Sequence, residues 1–397
     1  MNEVKDQYEA YPYPQRDPAD EARRLITGSP SHPVEIDHFL FAGQRDWSVP
    51  LRVLVAGGGT GDGLIQLAAV MKQAGRPCEI TYVDLSRASR EVAEARAAMR
   101  GLDGIRFVTA SLLEAPELGL FDYIDCCGVL HHLEDPRAGF AALRAALAPG
   151  GGLGFMVYAP YGRSGVYPLQ QAFGVLFEGL APQERLARAR EIVADLPQGH
   201  PFRCNPNLGD HHDSEAGFYD LLLHSQDRAF DVPELVQVMG EAGWDLAGFT
   251  MPALYDLARI TAAGGHLGDL ERMALAEKLR GTIKTHVGYA WPRGEARALA
   301  SGRRRTLVPH LSGVQPRALA RAIAAGQAAK LSFGGVAAEV RLPRGAAALV
   351  AGIDGRRSLE QIAAGAGMDA LAMGALWGKL EAELTGWGVL RYSAIHG

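Results

Sequence analysis

From residue 51 onward, short apolar runs alternate with longer stretches whose apolar positions recur every three or four residues. Runs of strand length cover residues 52–56, 79–83, 105–108, 122–127 and 152–158. Helical spacing covers 63–74, where Leu64, Leu67, Ala68 and Met71 share one face, and then 87–99 and 136–147. This alternation predicts an α/β fold: a Rossmann-like, doubly wound, mostly parallel sheet with helices on both faces. The last unit is clearly punctuated. Asp135 can cap its helix, Pro136 suits the first turn, and Pro149-Gly150-Gly151-Gly152 ends it.

Past residue 158 the alternation stops. Residues 159–228 are dense in Tyr, His and Pro and read as a helical insertion at the carboxyl edge of the sheet, where lids sit. A helix at 232–242 and a strand at 244–250 follow, and residues 256–325 read as mostly helical. From Lys330 the pattern turns strand-like over 331–342, helical over 358–366 and 368–385, and apolar over 388–392. The expected organisation is an N-terminal cap (1–49), the nucleotide-binding unit (50–255, with its insertion), a helical and basic connector (256–329) and a small α+β module (330–397).

Composition narrows the class without naming it. At 397 residues, with 48% hydrophobic and 21% charged positions, the chain can bury two or three cores and leaves little room for extended disorder. A net charge of −5 gives no reason to expect nucleic acid, and no stretch approaches the roughly 18 apolar residues of a membrane span. A soluble cytoplasmic protein with no membrane partner is expected. Cys78, Cys126, Cys127 and Cys204 lack metal-ligand spacing, and His211-His212-Asp213 with His224 matches no strong metal signature, so neither disulfide nor metal is expected.

The chemistry starts at Val53-Leu54-Val55-Ala56-Gly57-Gly58-Gly59-Thr60-Gly61, a strand running into a helix through a glycine turn. Gly57, Gly59 and Gly61 let the backbone turn tightly and a ligand lie against it, while the helix start offers free N–H groups. Asp84 ends the next strand 23 residues after Gly61, near the offset of about 20 at which an acid grips ribose hydroxyls. A nucleoside ligand follows from this pair. The sixth position of the motif, Asp62, is acidic and would repel the pyrophosphate of a dinucleotide.

Farther on, Phe121-Asp122-Tyr123-Ile124-Asp125-Cys126-Cys127-Gly128-Val129-Leu130-His131-His132-Leu133 and the turn Leu147-Ala148-Pro149-Gly150-Gly151 join the glycine motif. Residues 50–160 in combination resemble class I S-adenosylmethionine-dependent methyltransferases. The resemblance implies Gly57, Gly59 and Gly61 around the methionine moiety, Asp84 and Leu85 at the ribose, Ser111 and Leu112 beside adenine, and Cys127 and Gly128 near the sulfonium. It also implies S-adenosyl-L-homocysteine as product. Two positions depart from the family: an acid is common at Val55 and another at Ser111. Asp62 is the candidate to replace the first, facing the ligand's ammonium.

For the acceptor, the segment Tyr8-Glu9-Ala10-Tyr11-Pro12-Tyr13-Pro14 is read as a cap over the cofactor, with Tyr13 among its contacts. His131 and His132 follow the fourth strand, where a histidine near its ordinary pKa of ~6.5 could take a proton. Tyr161 and Arg163 follow the fifth strand, and His224 lies in a run, residues 219–228, similar to one in uncharacterised members of the same superfamily. These five are the candidate catalytic residues. Residues 293–344 carry ten Lys or Arg, Arg303-Arg304-Arg305 among them, against only Glu295 and Glu339, a stretch that would suit an acidic peptide or RNA if it were not simply solvated. The terminal segment, through Asp354–Ile362 and Leu380–Leu390, resembles winged-helix modules of the peptide-recognition type, and a homodimerisation module would read the same way. The expected activity is methyl transfer to a nitrogen or oxygen of a peptide, protein or small molecule. The alternatives are a methyltransferase-like scaffold and a nicotinamide-dependent oxidoreductase.

Overall fold

The computed structural model describes residues 2–295, 297–333 and 336–396. Its central sheet has seven strands: β1 (Leu51–Ala56), β2 (Cys78–Asp84), β3 (Ile105–Thr109), β4 (Phe121–Cys127), β5 (Leu147–Tyr158), β6 (Trp244–Phe249) and β7 (Thr285–Pro292). They lie in the order β3-β2-β1-β4-β5-β7-β6. The first five are parallel, and β7 runs antiparallel between β5 and β6. Winding runs outward from β1 to β3 and restarts at β4 on the other side, so a crevice opens beyond the carboxyl ends of β1 and β4.

Both sheet faces are apolar because helices cover both. Leu54, Val83, Ile124 and Phe155 point into one core, closed by the helices Pro136–Ala145 and Val232–Glu241. Val53, Val55 and Tyr123 point into the other, with Leu64, Leu67 and Met71 of the helix Asp62–Ala74 and Ile36 and Phe39 of the helix Pro33–Leu40. The insertion is helical as expected. Its helices Val166–Leu176, Pro182–Ala194 and Glu215–Leu222 share a small core built on Phe173, Leu186, Phe218 and Leu222.

Two expectations need correction. Residues 256–325 are not mostly helical, since they supply β7 to the middle of the right half of the sheet. Gly288 and Ala290 had diluted its strand signal, and the small residue is required: a Cβ on Gly288 would come within 2.9 Å of the Gly248 carbonyl and 3.0 Å of the Phe155 ring. The helix before β5 ends at Ala145, and Pro149–Gly152 lie within β5, where the pairing with β4 shifts register.

Beyond β7 come β8 (Pro309–Leu311), the hairpin of β9 (Ala329–Phe333) and β10 (Val336–Val340), and β11 (Leu390–Tyr392), which pairs with β8. Residues 334–335, within the expected strand 331–342, lie outside the described residues. The winged-helix likeness of this region stays a resemblance in sequence. Its helix Ala370–Gly386 contributes Trp377, Leu380 and Leu384 to the same continuous core as Phe249 and Ala253 of the sheet unit.

The chain's end is tied to its beginning by one carboxylate. Asp37, buried on the helix Pro33–Leu40, accepts from Trp47 Nε1 (3.0 Å), Ser393 Oγ (2.7 Å), the Ala394 amide (3.1 Å) and the Arg45 amide (3.0 Å). Removing it leaves several buried donors unmet, each costing roughly 1–3 kcal/mol where water cannot enter. Asp37→Ala should therefore lower the unfolding free energy by about 3 kcal/mol. Urea titration of the two proteins checks this, and an unchanged midpoint would mean that apolar packing alone holds β11.

Candidate active site

At the carboxyl end of β1 the glycine turn is fixed from below. The amides of Gly57 and Gly58 donate to the Val83 carbonyl (2.8 and 3.2 Å), and Tyr82 OH donates to the Gly59 carbonyl (2.5 Å). Gly57 and Gly59 have φ of +69° and +51°, a region that favours glycine. A Cβ on Gly57 would also meet Val129 at 2.4 Å, and one on Gly59 the Tyr13 carbonyl at 2.9 Å. Asp84 braces the turn: its carboxylate accepts the Gly59 and Ser86 amides, both at 2.8 Å. Burial raises its pKa, with these two amides working against the rise. Each oxygen keeps a lone pair for a further donor, as a ribose diol requires. The accessible Cys127 ends β4 and Gly128 follows it, while Leu85 follows the end of β2 and the buried Leu112 the end of β3.

The N-terminal segment lies across this turn. Thr60 Oγ1 donates to the Pro14 carbonyl (2.6 Å), and Ser86 Oγ donates to the Tyr8 carbonyl (3.1 Å). The Glu9 carboxylate accepts the Arg87 amide (2.6 Å) at the start of the helix Arg87–Met99. Farther along, Arg16 and the buried Arg96 both grip Asp62, at 2.6 and 2.8 Å, and Arg96 also pairs with the buried Glu21 at 2.7 Å. Burial raises the Asp62 pKa, but the two guanidiniums outweigh it and hold the carboxyl low. Asp62 is thus occupied, and is not free to meet an ammonium as expected. For the same reason its charge no longer argues against a pyrophosphate.

Next to the turn lies a network built on Asp220, which is 3% exposed and belongs to the helix Glu215–Leu222. Tyr8 OH donates to its Oδ1 and Tyr158 OH to its Oδ2, both at 3.0 Å. Backbone bonds assign the histidine tautomers. The Gln226 amide donates to His224 Nδ1 (3.0 Å), so the proton sits on Nε2, which donates to Tyr8 OH (3.2 Å). His132 is the reverse: Nδ1 donates to the Gln226 carbonyl (2.9 Å), leaving a lone pair on Nε2. The two rings stack at 3.7 Å, 11° from parallel. Burial, with neighbouring His132 and Arg163, pushes His224 well below its ordinary pKa, and burial together with Asp220 pushes Tyr8 well above.

Arg163 forms the far wall. Its guanidinium lies 3.6 Å from the centre of the Tyr158 ring, pairs with buried Asp227 at 3.0 Å and donates to Tyr167 OH at 3.0 Å. Tyr13 stands close enough to Asp220 and Arg163 for both to perturb it, although burial is the main cause of its raised pKa.

Of the expected residues, the fold brings His132, Arg163, His224 and Tyr13 into this one region beside Gly57, Gly59, Asp84, Cys127 and Gly128. Three others offer no free group to it. His131 has no exposed surface and no partner on either nitrogen, packed between the rings of His132 and Tyr158. Tyr161 faces away, beside Lys278 and Asp231. Ser111 spends its hydroxyl capping the turn Leu112–Glu114. Sequence reasoning included Asp220 and Asp227 in the run 219–228, whose polar residues suggest a site wall, but gave neither acid a role of its own, and Asp125, discussed below, appeared only as part of the fourth-strand motif. Two sets, His131/His132/Asp227 and His132/Asp220/His224, bring metal-ligand atoms within 4.8 Å of one another, whereas His211–Asp213 forms no such set among the described residues. Neither set suits a metal well: His224 Nε2 carries a proton, and Arg163 sits on Asp227.

Comparison with known proteins agrees with the architecture. Residues 54–153 match the family model of the methyltransferase domain. An uncharacterized protein of Synechococcus sp. is 36% identical over 205 residues, 50% of this chain and 48% of that protein, so the match spans about half of the relative's length. PKMT2 from Rickettsia typhi, in complex with AdoHcy, superposes with a TM-score of 0.64 at 14% identity, covering 93% of this chain and 77% of that one. A second structure of PKMT2 gives 0.63, covering 93% and 76%. Residues 54–153 therefore match a methyltransferase domain in sequence, and the likeness in fold to PKMT2 extends past the sheet into the C-terminal region.

Beneath the glycine turn, Asp125 of β4 sits in register beside Val55 of β1. It is 2% exposed, its Oδ2 accepts from Ser31 Oγ, and a Cβ on Gly63 would touch it at 3.0 Å. Burial pushes its pKa up to about 6, with Ser31 opposing, against ~3.9 in an unfolded chain. Between those values the folded state holds the extra proton, so the contribution of this one carboxyl to stability is greatest below pH ~4, falls as pH rises toward 6 and is flat above. Asp125→Asn should remove this slope and be more stable than the parent at pH 7, by on the order of 2 kcal/mol. Denaturant melts from pH 4 to 8 test it; parallel curves for the two proteins would show that the carboxyl titrates normally.

Proposed function

We propose that this chain is an S-adenosylmethionine-dependent methyltransferase whose acceptor is a nucleophilic nitrogen or oxygen of a peptide, protein or small molecule, bound beside the Asp220 network. One observation carries the reading: Tyr8 bonds to Asp220 through its hydroxyl and, through its carbonyl, to Ser86, whose amide donates to Asp84, so a single residue bridges the polar network and the ribose-type acid. The AdoHcy bound to PKMT2 supports the same cofactor class here.

When bound, S-adenosylmethionine supplies a methyl group on a sulfonium, open to attack by a lone pair. The chain's task is to hold and align. Gly57, Gly59 and Gly61 leave room along the turn, Asp84 accepts ribose hydroxyls, Leu85 and Leu112 border the base with Ser111 at the edge, and Cys127 and Gly128 stand at the reacting end. The segment Tyr8–Pro14 keeps water out. His132, with its Nε2 lone pair, is suited to take the proton that the acceptor loses. The Gln226 carbonyl then stabilises the Nδ1–H of the imidazolium, and Asp220 offers a nearby negative charge. Arg163, fixed by Asp227 and Tyr167, and His224, fixed by Gln226, act as positioning residues.

Two outcomes are expected. Asp84→Ala should weaken S-adenosylhomocysteine binding by about 1.5–3 kcal/mol, the worth of hydrogen bonds to a charged group; calorimetry giving equal affinity would remove Asp84 from the site. His132→Ala and Asp220→Asn should each lower kcat at least about tenfold while the S-adenosylhomocysteine Kd moves by less than about threefold, and Tyr161→Phe should change neither. Transfer of label from the cofactor into cell extract, resolved by mass spectrometry, provides the acceptor for that assay. Tight cofactor binding with no labelled product would favour the scaffold reading.

A further inference from the structure

Arg303 and Arg305 of the basic run border a half-open cleft of about 560 Å³ between the helix Pro33–Leu40, residues 299–305 and the helix Ala370–Gly386. None of its lining residues belongs to the glycine turn or the Asp220 network. Three guanidiniums line it: Arg303, Arg305 and Arg391. Arg303 and Arg305 form no ion pair among the described residues. The side chain of Arg305 lies across Gly374, where a Cβ would come within 3.2 Å of its Nη2.

Arg391, 1% exposed, donates through Nη1 and Nη2 to the carbonyls of Thr385, Leu390 and Thr250. Its Nε has no hydrogen-bond partner among the described residues, and Glu35 stands 3.9 Å away. Glu381 is the only acid among the described lining residues, and its Oε1 already accepts the Gly302 amide (2.5 Å) and Tyr392 OH (2.8 Å). His38, also on the wall, is kept neutral by burial and by Arg391.

Like charges gathered at the mouth of a partly desolvated cleft repel one another, and an anion relieves that repulsion. The guanidinium fork matches a phosphate or carboxylate in geometry as well as charge. Phe39, Leu299 and Trp377 add apolar wall, and the volume falls among those of small-molecule sites, roughly 300–1,000 Å³. We propose that this cleft is a second binding site, for a small organic anion that carries a phosphate or carboxylate on an apolar body. The proposal does not depend on the methyl-transfer reading.

Calorimetry on the full chain with inorganic phosphate, phenyl phosphate and benzoate, at low and high salt, tests it. At least one aromatic anion should bind, more tightly than inorganic phosphate and more weakly as salt rises, and the two aromatic probes identify the preferred head group. Arg303→Ala/Arg305→Ala, both on accessible side chains, should weaken that binding at least about tenfold, while Arg303→Lys/Arg305→Lys falls in between. Arg188→Ala, exposed on the helix Pro182–Ala194, should have no effect. No binding of either aromatic probe at millimolar concentration, or equal affinity in the double alanine variant, overturns the site; so does an equal loss in Arg188→Ala.

Discussion

A carboxylate enclosed by protein must find hydrogen-bond donors, and the Asp220 carboxylate finds them without a guanidinium. Its two donors are phenols from distant parts of the chain: Tyr8, from the helix Asn2–Ala10, and Tyr158, at the end of β5. Meeting that one demand draws the N-terminus over the crevice and presses the insertion against the sheet. It also fixes protons. With Tyr8 OH committed to Asp220, the phenol oxygen is left to accept, and His224 is the neighbour that donates to it. The stacked His132 then differs from His224 in tautomer although the two rings share one backbone anchor, Gln226.

Around this network, charge is balanced pair by pair. Arg163 answers Asp227, while Arg16 and Arg96 answer Asp62 and Glu21. Among the described acids here, Asp84 and Asp220, and Asp125 beneath the turn, pair with no guanidinium, and each has its pKa raised by burial. Raised acids of this kind suit a site that takes a cation, because binding one recovers energy lost in desolvation. The cleft on the other side of the helix Pro33–Leu40 has the opposite sign, with Arg303, Arg305 and Arg391 on its wall.

A chain of polar contacts passes between these two sites. Arg391 faces Glu35, Glu35 lies 3.4 Å from the Tyr289 hydroxyl oxygen, and Tyr289 and Tyr123 both donate to the Pro30 carbonyl, one residue before the Ser31 that holds Asp125. With Asp37 receiving Ser393 and Ala394, the helix Pro33–Leu40 becomes the common floor of the catalytic unit and the C-terminal region. This polar tie adds to the apolar core that the two already share.

By itself the sequence determined what is local. The glycine turn, Asp84 at its fixed offset and the β/α alternation through β5 depend on neighbours within about 30 residues, so periodicity and turn chemistry expose them. The helical nature of the insertion was legible for the same reason. Long-range pairing decided the rest. Asp62 looked like a free acid until Arg16 and Arg96 closed on it, and Tyr161 sits in sequence beside Arg163 yet faces the other way. His131 and His132 are adjacent in sequence, but only the fold shows that one is sealed between rings while the other keeps a free nitrogen. Likewise β7 follows the sheet's other strands by many residues and is strand-like mainly because β5 and β6 flank it. The reason is physical: tautomers, ion pairing and burial are properties of partners, and these partners lie tens to hundreds of residues apart.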